Sequence, residues 1–221
     1  MPGAACPIRM KYWHMLPRFY PILDTEIAVR HGFDPVKAAE EILGAGASIL
    51  QFRHKAFLSR ETFGKMERIA ALCREAGVTF VVNDRADLAY LMGAALHVGQ
   101  HDLPPAAARR ITGPETLIGF STHNERQLRA AQSEPVDYLA LGPIFGTGSK
   151  QNPDPLVGLE ELRRLRPLTT RPLVAIGGIT RDNARQVLAA GANSLAVIGD
   201  LFPEDGNLRA RVEQWLRVTT F

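Results

Sequence analysis

Leu50-Gln51-Phe52-Arg53-His54-Lys55 (LQFRHK, residues 50–55) reads as a short strand that ends in polar and basic side chains. Successive side chains of a strand point to opposite faces, so Gln51, Arg53 and Lys55 share one face while Leu50 and Phe52 share the other. In a closed barrel, one of those faces meets the axis and the other packs on surrounding helices. Burying Gln51, Arg53 and Lys55 would be costly unless a large anion met them there. The ordinary alternative is a solvated strand end. The rest of the chain decides between the two.

Outward from this strand, short apolar runs alternate with helical patterns from Phe19 onward. Strands are expected at residues 19–23, 48–52, 79–82, 95–98, 117–120, 138–141, 173–176 and 194–198. Helices are expected at residues 35–43, 60–76, 85–92, 104–111, 125–132, 159–165, 182–190 and 208–218. Gly46, Gly77, Gly93 and Gly191 stand just before strands, where a preceding helix must stop. Strands of near-continuous Val, Ile, Leu and Ala suit a parallel sheet covered on its outer side. Eight such units in 221 residues, with no long linker, predict an α/β chain folded as a single (β/α)8 TIM barrel over residues 18–221. Residues 1–17 then form an irregular N-terminal lead-in. An open doubly wound sheet is the alternative topology. Neither a GxGxxG nor a Walker A pattern occurs, which removes the usual nucleotide sites.

Apolar residues at 46% and charged residues at 22% are enough to build a full globular core. The formal charge of +3 is spread along the chain, so anionic small molecules are better partners than nucleic acid. Arg163, Arg164 and Arg166 form the densest basic patch, read most simply as a solvated helix face. Cys6 and Cys73 make no disulfide framework, and Cys73 falls in a helical pattern as a small core residue. The sequence shows neither a membrane-length apolar run nor a signal-peptide pattern, so a cytoplasmic protein is expected.

In a barrel of this kind, chemistry belongs at the C-terminal ends of the strands. The unusual residues fall there. VVNDRADLA (81–89) places Asn83 and Asp84 just past an apolar run, and HVGQHDLP (97–104) places Asp102 before a Pro-started helix. Two carboxylates on adjacent tips beside basic side chains suit Mg²⁺, which takes one or two carboxylates together with substrate phosphates. Helix capping is the competing role for each carboxylate. GFSTHN (119–124) offers Ser121 as a phosphate donor, and its His123 is read as structural. LGPIFGTGSK (141–150) supplies backbone N–H groups, hydroxyls and the Lys150 ammonium, a phosphate-binding chemistry. In VAIGGIT (174–180), Gly177 and Gly178 would let backbone amides approach a ligand, and LAVIGD (195–200) completes the eighth tip. Two anion sites in one mouth point to a transferase that joins two phosphorylated small molecules, with a diphosphate beside Mg²⁺ as leaving group.

These blocks resemble the thiamine-phosphate synthase (thiamine phosphate pyrophosphorylase) family. LQFRHK, VNDRADLA, HVGQHDLP, GFSTHN, DYLALGPIFGTGSK, PLVGLEEL and AIGGIT stand in the family's order over residues 19–215. The resemblance implies a (β/α)8 fold and Mg²⁺-dependent coupling of a pyrimidine diphosphate with a thiazole phosphate. It implies that Gln51, Arg53, Lys55, Asn83, Ser121 and Lys150 hold the pyrimidine diphosphate, with Arg53, Lys55, Lys150 and Ser121 acting on the leaving group. Asp84 and Asp102 would serve the metal. Thr147, Gly148, Ser149, Gly178, Ile198 and Gly199 would hold the thiazole phosphate. Two positions depart from the family pattern: Ser149 replaces a common Thr and keeps the hydroxyl, whereas Gly199 replaces a usual Ser and loses one. Weaker binding of the thiazole phosphate is the expected consequence.

The sister thiazole tautomerase is the nearest rival and would promote His123 to an acid/base role; Asp102 and Pro143 favour the synthase. A phosphate-sensing barrel without catalysis is the second rival, opposed by the complete set of diphosphate ligands. Barrels of this kind often pair through helices, which leaves a homo-oligomer open.

Overall fold

The computed structural model describes residues 16–147 and 155–220. Within them eight parallel strands close into a barrel in sequence order, with β8 pairing back onto β1. The strands are β1 (Phe19–Asp24), β2 (Ile49–Arg53), β3 (Thr79–Asn83), β4 (Ala95–Val98), β5 (Ile118–Thr122), β6 (Tyr138–Leu141), β7 (Leu173–Ile176) and β8 (Ser194–Val197). Closure excludes the open doubly wound sheet. The helices are α1 (Thr25–Arg30), α2 (Pro35–Gly44), α3 (Arg60–Glu75), α4 (Ala86–Met92), α5 (Pro105–Thr112), α6 (Glu125–Ala130), α7 (Gly158–Leu165), α8 (Ala184–Ala189) and α9 (Leu208–Thr219).

Every expected strand is present, each end within two residues of its expected place. Helix α1 has no counterpart in the sequence reading. Its six residues are too few to show a 3.6-residue period, and it forms because Asp24 at the tip of β1 accepts hydrogen bonds from the N–H groups of Glu26 and Ile27.

Alternation along each strand sorts the apolar residues into two cores. Leu50, Phe52, Val82, Leu96, Ile118 and Leu139 face outward into the layer between barrel and helices. Ile49, Val81, Ala95, Leu117, Val174 and Ala196 fill the barrel interior together with Tyr20 and Tyr138. Cys73 lies in the outer layer, and burial pushes its thiol up to about 12, so it is inert packing. Cys6 lies outside the described residues. Trp215 on α9 stacks on Phe19 with ring centroids 5.4 Å apart, fastening the last helix to the first strand. Leu16 packs against the interior cluster, and Ser194 donates to the Pro17 carbonyl at 2.6 Å. Among the described residues no helix is long and apolar enough to cross a membrane. Arg163 and Arg164 pair with Glu160, Glu161 and Glu125 along exposed helix faces, as expected of a solvated patch.

Candidate active site

A cavity of about 490 Å³ opens at the C-terminal ends of the strands. Gln51, Arg53, Lys55, Asn83, Asp84, Asp102, Ser121, Thr147, Gly178, Ile198 and Gly199 all line it. These are the expected site residues that fall in the described chain; Gly148, Ser149 and Lys150 lie outside the described residues.

The β2 tip behaves as its alternation dictates. Gln51 and Arg53 face inward, between Phe52 packed outward in the helical layer and the cavity. Arg53 is held by an ion pair with Asp24, whose second oxygen caps α1. Asp24 is therefore a site residue that the sequence reading missed. Its signal was available, since an Asp directly after an apolar strand and before Thr-Glu marks a helix N-terminus. Lys55 extends further up and pairs with Asp84.

Asp84 adopts φ +64, the single described residue other than glycine with positive φ. The left-handed conformation costs on the order of 1–2 kcal/mol, and Asp is among the residues that tolerate it best. The bend is fixed by Asp84 N–H donating to the His97 carbonyl at 2.7 Å and Arg85 N–H donating to the Asn83 carbonyl at 2.8 Å. The carboxylate is thereby turned toward the mouth instead of along α4. Helix capping fails for both candidate metal ligands: α4 starts from Arg85 and α5 from Pro104, neither with a side-chain cap, and Asp102 instead accepts from Gly99 N–H at 2.7 Å.

Asp84 and Asp102 both line the cavity, and each shifts the other's affinity for a proton. Burial, and then the hydrogen bond with Asp102, push Asp84 up to about 6 in spite of Lys55. Against its own burial, Asp102 is held below the usual carboxylate range by the hydrogen bond from Asp84, the Gly99 N–H and Lys55. Two carboxylates that compete for one proton are a donor pair suited to a cation. Among the described residues no group of three or more His, Cys, Asp or Glu could by itself hold a metal ion. At a two-carboxylate site Mg²⁺ would complete its shell with waters and substrate phosphate oxygens. The Lys55 ammonium already occupies the neighbourhood of the pair as a positive charge.

Beneath this charged rim lies a polar floor that joins two expected site residues, Gln51 and Ser121, through Tyr20, Tyr138 and His97. Gln51 Nε2 donates to Tyr20 Oη at 2.9 Å, Tyr20 and Tyr138 hydroxyls are 2.9 Å apart, Tyr138 Oη is 3.1 Å from His97 Nδ1, and His97 Nε2 is 2.9 Å from Ser121 Oγ. Burial pushes His97 down to about 4 and Tyr20 up to about 12, so both are neutral at pH 7. Tyr138 was invisible in the sequence because it reads as the first residue of an apolar strand.

The opposite rim is made by the loops after β6, β7 and β8. Gly177 and Gly178 line the cavity, and they also bring the protein's own backbones into close approach, with the loop after β6 as the partner. A Cβ on Gly177 would fall 2.5 Å from Pro143, and one on Gly178 would fall 2.5 Å from the Gly146 carbonyl oxygen. Phe145 N–H donates to the Gly177 carbonyl at 3.0 Å, so the two loops form one wall. His123 Nδ1 lies 2.6 Å from the Gly142 carbonyl oxygen, which ties the β5 loop to that wall.

Comparison with known proteins agrees with this fold. The family model described as thiamine monophosphate synthase matches residues 19–201. The thiamine-phosphate synthase of Koribacter versatilis is 48% identical over 92% of this chain and 96% of its own length. That of Laribacter hongkongensis is 41% identical over 81% of this chain and 84% of its own. Among solved structures, the thiamine phosphate pyrophosphorylase from Pyrococcus furiosus superposes with a TM-score of 0.82 at 30% identity, covering 95% of this chain and 98% of that one. With its barrel, its cavity and the match across most of its length, this chain belongs to the thiamine monophosphate synthase family.

Proposed function

We propose that the chain catalyses the coupling of a hydroxymethylpyrimidine diphosphate with a hydroxyethylthiazole phosphate, giving thiamine phosphate and pyrophosphate. The observation that carries this reading is one cavity with two unlike walls. A carboxylate pair with Arg53 and Lys55 lies on the β2–β4 side, and a wall rich in glycine and hydroxyl groups lies on the β6–β8 side.

On the first wall Arg53, Lys55, Asn83 and Ser121 would hold the diphosphate, joined by Lys150. Gln51 sits deeper, bonded to Tyr20 in the floor, and would meet the pyrimidine ring to which the diphosphate is attached. Asp84 and Asp102 would hold Mg²⁺. When bound there, the ion supplies charge neutralisation for the departing pyrophosphate. On the second wall Thr147, Gly148, Ser149, Gly178, Ile198 and Gly199 would hold the thiazole phosphate. The methylene C–O bond breaks with its electron pair leaving on pyrophosphate, and the thiazole nitrogen lone pair forms the new C–N bond. An aminopyrimidine can delocalise the intervening positive charge, so the chain's main task is donating to the leaving oxygens in a partly dry site. No proton is transferred in the coupling step. His123, tied to the Gly142 carbonyl, has no base role in it. Arg53 fixed by Asp24 and Lys55 beside Asp84 are pre-placed donors of this kind.

A thiazole tautomerase or a sensing barrel would have no use for the carboxylate pair. The working unit we propose is the barrel of residues 18–221 with residues 1–17 as a lead-in, acting in the cytoplasm on small phosphorylated substrates, with no nucleic-acid or membrane partner. Purified protein mixed with both substrates and Mg²⁺ should form thiamine phosphate, and EDTA should stop it; absence of product with both substrates bound would sink the reading. Asp84→Asn, which keeps the left-handed bend accessible, should lower Mg²⁺-dependent turnover at least a hundredfold. Near-normal turnover would remove Asp84 from the metal site.

A further inference from the structure

The polar floor is a single file of hydrogen bonds through the barrel core, from Gln51 to Tyr20, Tyr138, His97 and Ser121. Tyr20 and Tyr138 are each 1% exposed and Gln51 2%, and no buried side-chain polar atom among the described residues lacks a partner. Such a file can be satisfied in only one direction if each hydroxyl has one proton to give. We infer that the file runs from Gln51 toward Ser121, fixing His97 as its Nε2–H tautomer and presenting the Ser121 hydroxyl to the cavity as a hydrogen-bond donor.

The proton count carries this. Gln51 Nε2 can only donate, so the Tyr20 oxygen accepts and the Tyr20 proton goes to Tyr138, its other partner. Tyr138 Oη, now an acceptor on that side, gives its own proton to His97 Nδ1. His97 then carries its hydrogen on Nε2 and donates to Ser121 Oγ. Ser121 accepts from below, and its own hydrogen turns up into the cavity it lines. In the reverse direction Ser121 would give its proton to His97, and the Tyr20 hydrogen would face the Gln51 amide hydrogens in a buried site, leaving a buried donor without an acceptor. A protonated imidazole fares no better, since it would donate to both neighbours and strand the Tyr138 hydrogen. Tyr20, Tyr138 and His97 are thus positioning residues. Acting through the file, they decide that Ser121 gives a hydrogen bond to an anion and does not take one.

The inference rests on the reading of Ser121 as a diphosphate ligand, and the first measurement is independent of that reading. Full-length protein labelled with ¹⁵N-histidine, free of ligand at neutral pH, should show His97 protonated at Nε2 and bare at Nδ1 in long-range ¹H–¹⁵N spectra. The signal is assigned by its loss in His97→Gln. An Nδ1–H tautomer would overturn the inference. The second measurement is calorimetric binding of inorganic pyrophosphate in the presence of Mg²⁺. Ser121→Ala and the near-isosteric Tyr138→Phe should each weaken it about tenfold, and the double variant should be no weaker than Ser121→Ala alone, because both act through one hydroxyl. Fully additive losses would show Tyr138 acting by some other route and would overturn the positioning role. Wild-type protein that binds no pyrophosphate would refute the functional reading, while the tautomer would still decide the direction of the file.

Discussion

Gly119 sits on β5 between His97 on β4 and Tyr138 on β6, its register partners on either side. A Cβ built there would fall 2.0 Å from the Tyr138 ring, so this glycine is the space through which Tyr138 reaches His97, their ring centroids 5.6 Å apart. Gly119→Ala should destabilise the protein by about 1–3 kcal/mol through overpacking, seen as a lower urea midpoint, and should weaken pyrophosphate binding by pushing Tyr138 off the file. Unchanged stability and binding would show that the ring can step aside. His97 gives a pH signature. Its pKa falls from 6.5 to about 4 on burial, so below pH 6.5 the unfolded chain takes up a proton that the folded chain refuses. The stability it contributes is therefore complete above pH 6.5 and is lost as pH falls toward 4. Measured against His97→Gln in urea titrations, wild type should lose roughly 3 kcal/mol of relative stability between pH 7 and 4; a constant difference would mean the ring is charged in the fold. At this scale the sequence showed the rim and hid the floor. Arg53, Lys55, Asp84, Asp102 and Ser121 are conspicuous because they interrupt apolar runs, whereas Tyr138 and Gly119 look like ordinary strand residues until neighbouring strands are brought together.

Between residue and barrel, the joint of β1, α1 and β2 shows what a strand tip needs. Asp24 is 2% exposed and divides its carboxylate, one oxygen capping α1 and the other pairing with Arg53, across the register of Asp24 with Arg53. The guanidinium has five N–H donors in a fixed fork, so one anchored to Asp24 leaves others aimed into the cavity. Asp24→Asn retains an oxygen for the cap but removes the charge opposite Arg53. It should raise the KM for the diphosphate substrate about tenfold while changing stability far less than Asp24→Ala, which also loses a cap worth about 1 kcal/mol. An unchanged KM in Asp24→Asn would show that Arg53 needs no anchor. The alternation in LQFRHK was enough to put Gln51 and Arg53 on one face and Phe52 on the other, because strand period is a local property; which face meets the barrel axis depended on the rest of the chain. The partner Asp24 lies outside the local window, and α1 is too short to announce itself by periodicity. The glycines of AIGGIT were legible as a place of close approach, but their partner, the loop after β6, was supplied only by the closure of the sheet.

On the proposed reading, the barrel separates two tasks around one mouth. Of the described residues, those proposed for the diphosphate (Arg53, Lys55, Asn83 and Ser121) sit on the arc from β2 to β5, and those proposed for the thiazole phosphate (Thr147, Gly178, Ile198 and Gly199) sit on the arc from β6 to β8, with the cavity of about 490 Å³ between them. Eight strand–helix units were readable in order, and order alone brings the eighth tip beside the first once the sheet closes. Closure is also why the division of labour was only partly legible: the chain lists tips one after another, and facing walls exist only in the ring. The division predicts that substitutions on one arc change kinetic constants for one substrate. Gly199, at the eighth tip, is the sharpest case, because there the change is a gain. It opens the 3-10 turn Gly199–Leu201, a right-handed conformation that any residue adopts, and it lines the cavity beside Ile198. Gly199→Ser adds a hydroxyl donor where a phosphate would lie. A hydrogen bond to a charged group contributes about 1.5 kcal/mol or more, so the KM for the thiazole phosphate should fall by about fivefold to tenfold. The KM for the pyrimidine diphosphate should stay within twofold of wild type, since its proposed ligands among the described residues, Arg53, Lys55, Asn83 and Ser121, are on the far arc. Arg53→Ala should give the mirror result, raising the diphosphate KM and sparing the thiazole phosphate. If Gly199→Ser moved both constants together, or neither, the eighth tip would not be the phosphate end of the thiazole site, and the two-walled reading of the mouth would have to be redrawn around the loop after β6.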